Sequence, residues 1–391
     1  MSEGLIIVES PAKARTLKRF LGDRFDVLAS MGHVRDLPGN ELAVDVDAGF
    51  KPHYEVVESR KKTIGELRTA SKNETEVILA SDPDREGEAI AWHLSEVLKL
   101  RNPKRIEFHE ITAEAVRRAL ESPRDIDMRL VNAQQARRVV DRLVGYRLSP
   151  FLWSKVQKGI GAGRVSSVAL RLVVDREEEI RKFVAVESWT IDVELAKQKA
   201  DQHFLARLNR LRNEPSEADA NGDGETETKP DNTKIVVKSE AEAQEIVRKL
   251  EGASYKVIGV DKKRRTKSSY LPYITSTLQQ DASSRLRFAP RRTMRVAQDL
   301  YEGIELGDDG STGLIIYMRN DSTRISPEAE AKVKGWIQEK HGDSYIGDPR
   351  TGKVSPGAQD AHEGIRPTDV NRTPGSVRQY LSADQMKLYD L

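Results

Sequence analysis

The sequence predicts a multi-domain α/β protein, opening on a mostly parallel sheet and continuing into helical and mixed α+β parts. Three observations carry this. Short apolar runs alternate with amphipathic segments over residues 1–126, residues 128–182 then keep a helical period, and the 391-residue length supports roughly two to four folding units.

Residues 5–8 form an apolar run suited to a buried strand, after which Ser10 can cap and Pro11 can start a helix ending at Gly22. Residues 25–29 read as the next strand. The pattern returns at 76–80, followed by a helix near 87–98 with Ile90, Leu94, Val97 and Leu98 on one face, and then a strand at 105–108. In 128–182, Val139, Val140, Leu143 and Val144 form one apolar band and Leu170, Leu172 and Val173 another, with a glycine-rich loop at 158–164 between them. Strand-like text begins near Trp189 and resumes at 235–237. Between these stretches, residues 213–232 hold seven acidic residues and no large apolar one, and read as an exposed insertion. Residues 275–303 give two helices broken at Phe288-Ala289-Pro290, and 313–319 an apolar run suited to a buried strand. Ser382 and Gln385 have capping-box spacing, but the helix they start reaches Leu391 without a stop signal, so the chain reads as a fragment.

Composition narrows the function. Lys and Arg number 64 against 62 Asp and Glu, a net charge of +2, so any nucleic-acid surface must come from segregated charge. The absence of Cys excludes disulfides, thiolate nucleophiles and sulfur-ligated zinc. With no signal-peptide core and no apolar stretch near ~18 residues, a soluble cytoplasmic protein without membrane contact is expected.

Ser-Asp-Pro-Asp-Arg-Glu-Gly-Glu at 81–88 follows a strand and precedes a helix, which puts Asp82, Asp84 and Glu86 at the carboxyl end of a sheet, where open α/β sheets bind ligands. Crowded carboxylates repel, and a hard cation such as Mg²⁺ relieves that repulsion; a solvated acidic turn would read the same way. Glu9 and Lys13 sit at a second strand-to-helix junction, where a lysine in the first turn can hold a phosphate and Glu9 can equally serve the helix N-terminus. Tyr317 would ordinarily be a core aromatic. In an extended segment, however, Arg319 shares its face, and a tyrosine nucleophile needs such positive surroundings; Asp321 could orient Arg319 or simply make a turn. His362 becomes chemical only near a phosphate. Residues 347–354 nearly spell a phosphate-binding loop, but Val354 replaces the required Ser/Thr and Pro356 blocks the helix, so no nucleotide cofactor is expected. Basic clusters at Arg137, Arg138, Arg142 and Arg147, at Lys155, Lys158 and Arg164, and at Arg285, Arg287, Arg291, Arg292 and Arg295 are each explicable as solvated charge. Together, in a near-neutral chain, they favour a nucleic-acid path.

The ordered set of motifs at 8–14, 81–88, 132–146, 275–280 and 317–326 resembles bacterial type IA DNA topoisomerase I. The resemblance implies a toprim domain at 1–126, with an insertion near 33–62, carrying the metal ligands Glu9, Asp82, Asp84 and Glu86. It implies a helical DNA-binding part at 127–186, part of a hinge domain at 187–274 and a tyrosine-bearing domain at 275–391. Tyr317 is then the nucleophile, Lys13 a phosphate contact and Arg319 the arginine that positions the scissile phosphate. His33, Arg85, Arg137, Arg138, Asp141, Arg164, Asp321 and His362 are implied DNA contacts. The implied activity is ATP-independent relaxation of negatively supercoiled DNA: Tyr317 cleaves one strand to a 5′-phosphotyrosine, another strand passes, and Mg²⁺ supports resealing. Single-stranded DNA is the implied partner of a monomer associated with the nucleoid. Ile316 and Asn320 stand where the family usually has threonines. A decatenating relative, a toprim nuclease and a non-catalytic single-strand-binding fragment would carry overlapping motifs.

Overall fold

The computed structural model describes residues 3–73, 76–197, 201–209, 236–265, 269–347 and 363–391. It divides into two units, Met1–Ser167 with Lys267–Leu391, and Val168–Thr266. His362 and the acidic stretch at 213–232 lie outside the described residues.

The first unit is built on a four-stranded parallel sheet of β1 (Gly4–Val8), β2 (Phe25–Ala29), β3 (Val77–Leu79) and β4 (Lys104–Arg105), in spatial order β2-β1-β3-β4. The last strand is shorter than the expected 105–108. β1 reads as an unbroken apolar run because both its faces are covered. Ile6 and Val8 enter one core with Leu17 of α1 (Pro11–Leu21). Leu5 and Ile7 enter another with Ile64 and Leu67 of α2 (Lys61–Asn73) and Ile90 and Leu94 of α3 (Arg85–Leu98). Fully burying each such side chain contributes about 1.5–3 kcal/mol. The chain leaves β1 for β2 on one side and returns to β3 on the other, so the carboxyl ends of β1 and β3 flank the point where strand order reverses. Glu9 and Asp82 follow those two ends.

Helix α4 (Ala113–Glu121), capped by Thr112, leads to the 28-residue α5 (Met128–Lys155). The tyrosine-bearing part joins the first core. Helices α8 (Thr275–Leu286) and α9 (Pro290–Glu302) break where Pro290 predicts, and Leu278, Val296, Leu300 and Tyr301 pack with Leu314, Ile315, Tyr317 and Met318 against Ile6 and Val8. Residues 314–318 are buried as expected, but they form an extended segment with one isolated bridge, Ile315 to Pro367, in place of a regular strand. Helices α10 (Pro327–His341), α11 (Pro374–Val377) and α12 (Ala383–Asp390) complete the unit, the last with the expected Ser382–Gln385 capping box.

The second unit contains most of α6 (Ser166–Lys182), the antiparallel hairpin β5 (Asp192–Ala196) and β6 (His203–Arg207), and α7 (Glu240–Leu250). Its small core is Ile191, Val237, Ala243 and Ile246. The apolar band read on α6 is not a core: Leu170, Leu172 and Val173 are 64–66% exposed, and the described part of α6 buries no side chain.

Candidate active site

The two strand-to-helix junctions meet at the carboxyl end of the sheet. Ser10 caps α1 by accepting from Lys13 N at 3.2 Å, which sets Lys13 in the first turn. The Lys13 ammonium, fully buried, donates to Glu9 Oε1 at 2.9 Å and to Asp82 Oδ1 at 3.1 Å. Burial works against its charge, but the two carboxylates overcome that and raise its pKa. Burial pushes Glu9 up to about 8, partly offset by Lys13 and reinforced by Asp82. Asp82, which burial alone would raise, is held below its ordinary value by Lys13 and by the hydrogen bond from Glu9.

Asp84 has two duties. Its Oδ1 caps α3 by accepting from Gly87 N at 2.8 Å, and its Oδ2 accepts from the Tyr317 hydroxyl at 2.6 Å. The turn closes so tightly that a Cβ on Gly87 would lie 2.1 Å from the Asp82 carbonyl oxygen, so a side chain at 87 would have to push apart the backbone that carries both acids. Fully buried Glu88 braces the turn from below: it accepts from Arg105 Nε at 3.1 Å and from both terminal nitrogens of Arg124 at 2.8 Å. Arg105 Nη2 in turn donates to the Asp82 carbonyl at 2.8 Å. Sequence reading missed this brace. Its signal was a second glutamate two residues past Glu86, on the buried face of an amphipathic helix.

Tyr317 is 1% exposed, and burial, Asp82 and Asp84 raise its phenol pKa well above the ordinary value while Arg319 opposes them. Arg319 is exposed, close enough to act on both Tyr317 and Asp82, and among the described residues forms no ion pair. Asp321 is exposed, and among the described residues no ion pair joins it to Arg319. Asn320 donates from Nδ2 to the Tyr317 carbonyl at 3.1 Å, so its amide grips the main chain of that tyrosine.

The acids do not gather into one cluster. Among the described residues no three His, Asp or Glu side chains lie together at metal-holding spacing. Glu9 and Asp82 share Lys13, Asp84 faces Tyr317, and Glu86 turns toward α5, where Gln134 Nε2 donates to it at 3.1 Å and His33 Nε2 lies 3.5 Å away. Those contacts, the His33 hydrogen bond foremost, lower the Glu86 pKa. The donors still suit Mg²⁺: they are oxygens, Mg²⁺ takes one or two carboxylates and keeps several waters, and among the described residues nothing hydrogen-bonds the buried Glu9 Oε2.

Toward α5 the predicted DNA contacts divide. Arg138 is held by Asp36 at 2.9 and 2.7 Å, and Arg164 by Asp141 at 2.8 Å. Arg137 is exposed and acts on Glu86, and Arg85 is half-buried at the start of α3. Arg142, counted in the basic cluster, is instead buried and donates to the Leu37 carbonyl at 2.9 Å, tying α5 to the loop after β2.

The site is thus a parallel sheet that presents acids and a buried ammonium to a tyrosine phenol, and similarity to known proteins says which family builds it. A toprim domain model matches residues 4–111 and a DNA topoisomerase model matches residues 125–391. The chain belongs to the bacterial type IA DNA topoisomerase family. It is similar to the full-length topoisomerase I structure from Thermotoga maritima, at 38% identity and a TM-score of 0.79 over 98% of this chain, and it spans 58% of that protein's length.

Proposed function

We propose that the chain cleaves one strand of DNA through Tyr317 and, as part of a type IA enzyme, relaxes negatively supercoiled DNA without ATP. The observation that carries this is the hydrogen bond of the Tyr317 hydroxyl to Asp84 at 2.6 Å, beside a buried Lys13 shared by Glu9 and Asp82. Tyr317 oxygen bonds to phosphorus, Asp84 is placed to take the phenol proton, and the bond from phosphorus to the 3′-oxygen breaks. A 5′-phosphotyrosine remains, the departing 3′-oxygen takes a proton from solvent to become a hydroxyl, and that hydroxyl, giving the proton back, later attacks phosphorus to reseal the strand and release Tyr317. Lys13 and Arg319 supply the positive charge that the phosphate needs. Of the expected ligands Glu9, Asp82, Asp84 and Glu86, one or two carboxylates with several waters would hold Mg²⁺, which would supply charge neutralisation for resealing. Arg137 and Arg138 of α5, with Arg164, serve a single-stranded backbone, so affinity falls with salt. We further propose a cytoplasmic monomer.

The test is incubation with end-labelled single-stranded DNA and Mg²⁺, denaturation, and a gel for labelled protein. Wild type should carry label and Tyr317→Phe should not, while both bind DNA. Label on Tyr317→Phe, or cut ends free of protein, would refute the assignment, the latter in favour of a nuclease. A plasmid assay without ATP then separates relaxation from decatenation.

A further inference from the structure

One buried phenol in this site has no part in the chemistry above. Tyr301, in the last turn of α9, is fully buried, and its ring centroid lies 5.3 Å from that of Tyr317 at 66°, an edge-to-face contact. The Lys13 ammonium lies 5.9 Å from the Tyr301 ring and 4.9 Å from the Phe108 ring. The two aromatic rings therefore close the sides of the ammonium that Glu9 and Asp82 leave open. The main chain fixes the same relation: Leu314 N donates to the Leu300 carbonyl at 2.7 Å, and a Cβ on Gly313 would lie 2.6 Å from the Tyr301 carbonyl oxygen. Gly313 thus lets the nucleophile's segment press directly on α9. Among the described residues the Tyr301 hydroxyl bonds the Phe108 carbonyl, at 3.4 Å, a long bond that leaves the ring as the working part.

We infer that Tyr301 is a positioning residue for strand cleavage, its ring holding the Tyr317 phenol in line with Asp84 and shutting water out from the Lys13 ammonium. A filler of equal volume would preserve the core but not these two functions, because only a rigid plane presents an edge to one neighbour and a face to the other. The inference rests on Tyr317 being the nucleophile.

The experiment is single-turnover formation of the covalent complex at saturating single-stranded DNA and Mg²⁺, with oligonucleotide Kd and melting temperature measured on the same samples. Tyr301→Phe keeps the ring and should stay within about threefold of wild type. Tyr301→Leu should be slower by roughly 10- to 100-fold, since a displacement on the order of 1 Å costs about that much, with Kd unchanged. Should the Leu variant fold poorly, Tyr301→Met fills the space with a flexible chain and should show the same loss. A wild-type rate in a folded Met or Leu variant would overturn the inference. So would Tyr301→Phe as slow as Met, or a rate that falls only in step with DNA affinity. No Tyr317-dependent complex from the wild-type protein would instead overturn the reading of Tyr317, and this inference with it.

Discussion

Replacing Gly87 with alanine tests how the acid turn is built. The added Cβ would lie 2.1 Å from the Asp82 carbonyl oxygen and 2.8 Å from the Asp82 nitrogen, where about 3 Å is the closest tolerable approach. The opposing atoms are main chain, so relief requires the turn to open by about 1 Å. Overpacking of this kind costs about 1–3 kcal/mol, and in a unit of this size each kcal/mol lowers Tm by about 2–4 °C. The same displacement moves Asp82 and Asp84 relative to Lys13 and Tyr317, and cleavage should fall by about 100-fold. Gly65, within α2 and with open space at its Cβ position, is the control: Gly65→Ala should raise stability by about 0.5–1 kcal/mol. Calorimetry and the covalent-complex assay read both effects. A Gly87→Ala protein that melts and cleaves like wild type would refute the claim that close backbone packing sets the acids.

Two further outcomes follow from charge placement. His93, 2% exposed and accepting from Arg35 Nε at 3.0 Å, is pushed by burial, Arg35 and His33 from 6.5 down to about 3. The unfolded chain binds that proton near 6.5 and the folded chain does not, so this contribution is complete above pH 6.5 and is lost as pH falls toward 3, at up to about 1.4 kcal/mol per unit. Denaturation against pH should lose that slope in His93→Gln, and an unchanged slope would count against a neutral buried imidazole. Asp36→Asn should release Arg138 from its bidentate hold. Because the pair is partly exposed, stability should shift by at most about 1 kcal/mol, while single-strand affinity rises and its log–log salt dependence steepens by about 0.7. Titration at several salt concentrations checks this, and unchanged affinity would mean that Arg138 does not meet the backbone.

The parts legible in the sequence are those governed by local rules. The strand-turn-helix junctions at Glu9 and Asp84 were readable because an apolar run, a capping side chain and a first-turn residue are neighbours in the chain. The break before α9 was readable because Pro290 enforces it. Contacts between distant residues were not. Nothing near Asp82 signals that Arg105 binds its carbonyl, nothing near Glu86 signals Gln134, and nothing near Arg138 signals Asp36. The motifs placed four acids at one sheet edge, yet side-chain direction sends Asp84 to Tyr317 and Glu86 to α5, leaving only Glu9 and Asp82 around Lys13. The α6 helix was legible too, but its exposure was not, because helical periodicity shows that a face is apolar without showing what covers it.

The segment that carries Tyr317 is held chiefly by its own main chain. Tyr317 N donates to the His109 carbonyl at 2.7 Å and Gly313 N to that of Ile111 at 2.8 Å, while on the other side Ile316 N donates to the Arg366 carbonyl at 3.1 Å and Thr368 N to that of Leu314 at 3.0 Å. Bonds of this type do not depend on side-chain identity. Point changes along the segment therefore cannot delete them, and only a proline, which lacks the N–H, can remove a donor. The main-chain path of the nucleophile's segment is thus insulated from sequence drift along it, and the side chains around the phenol are left to set its direction.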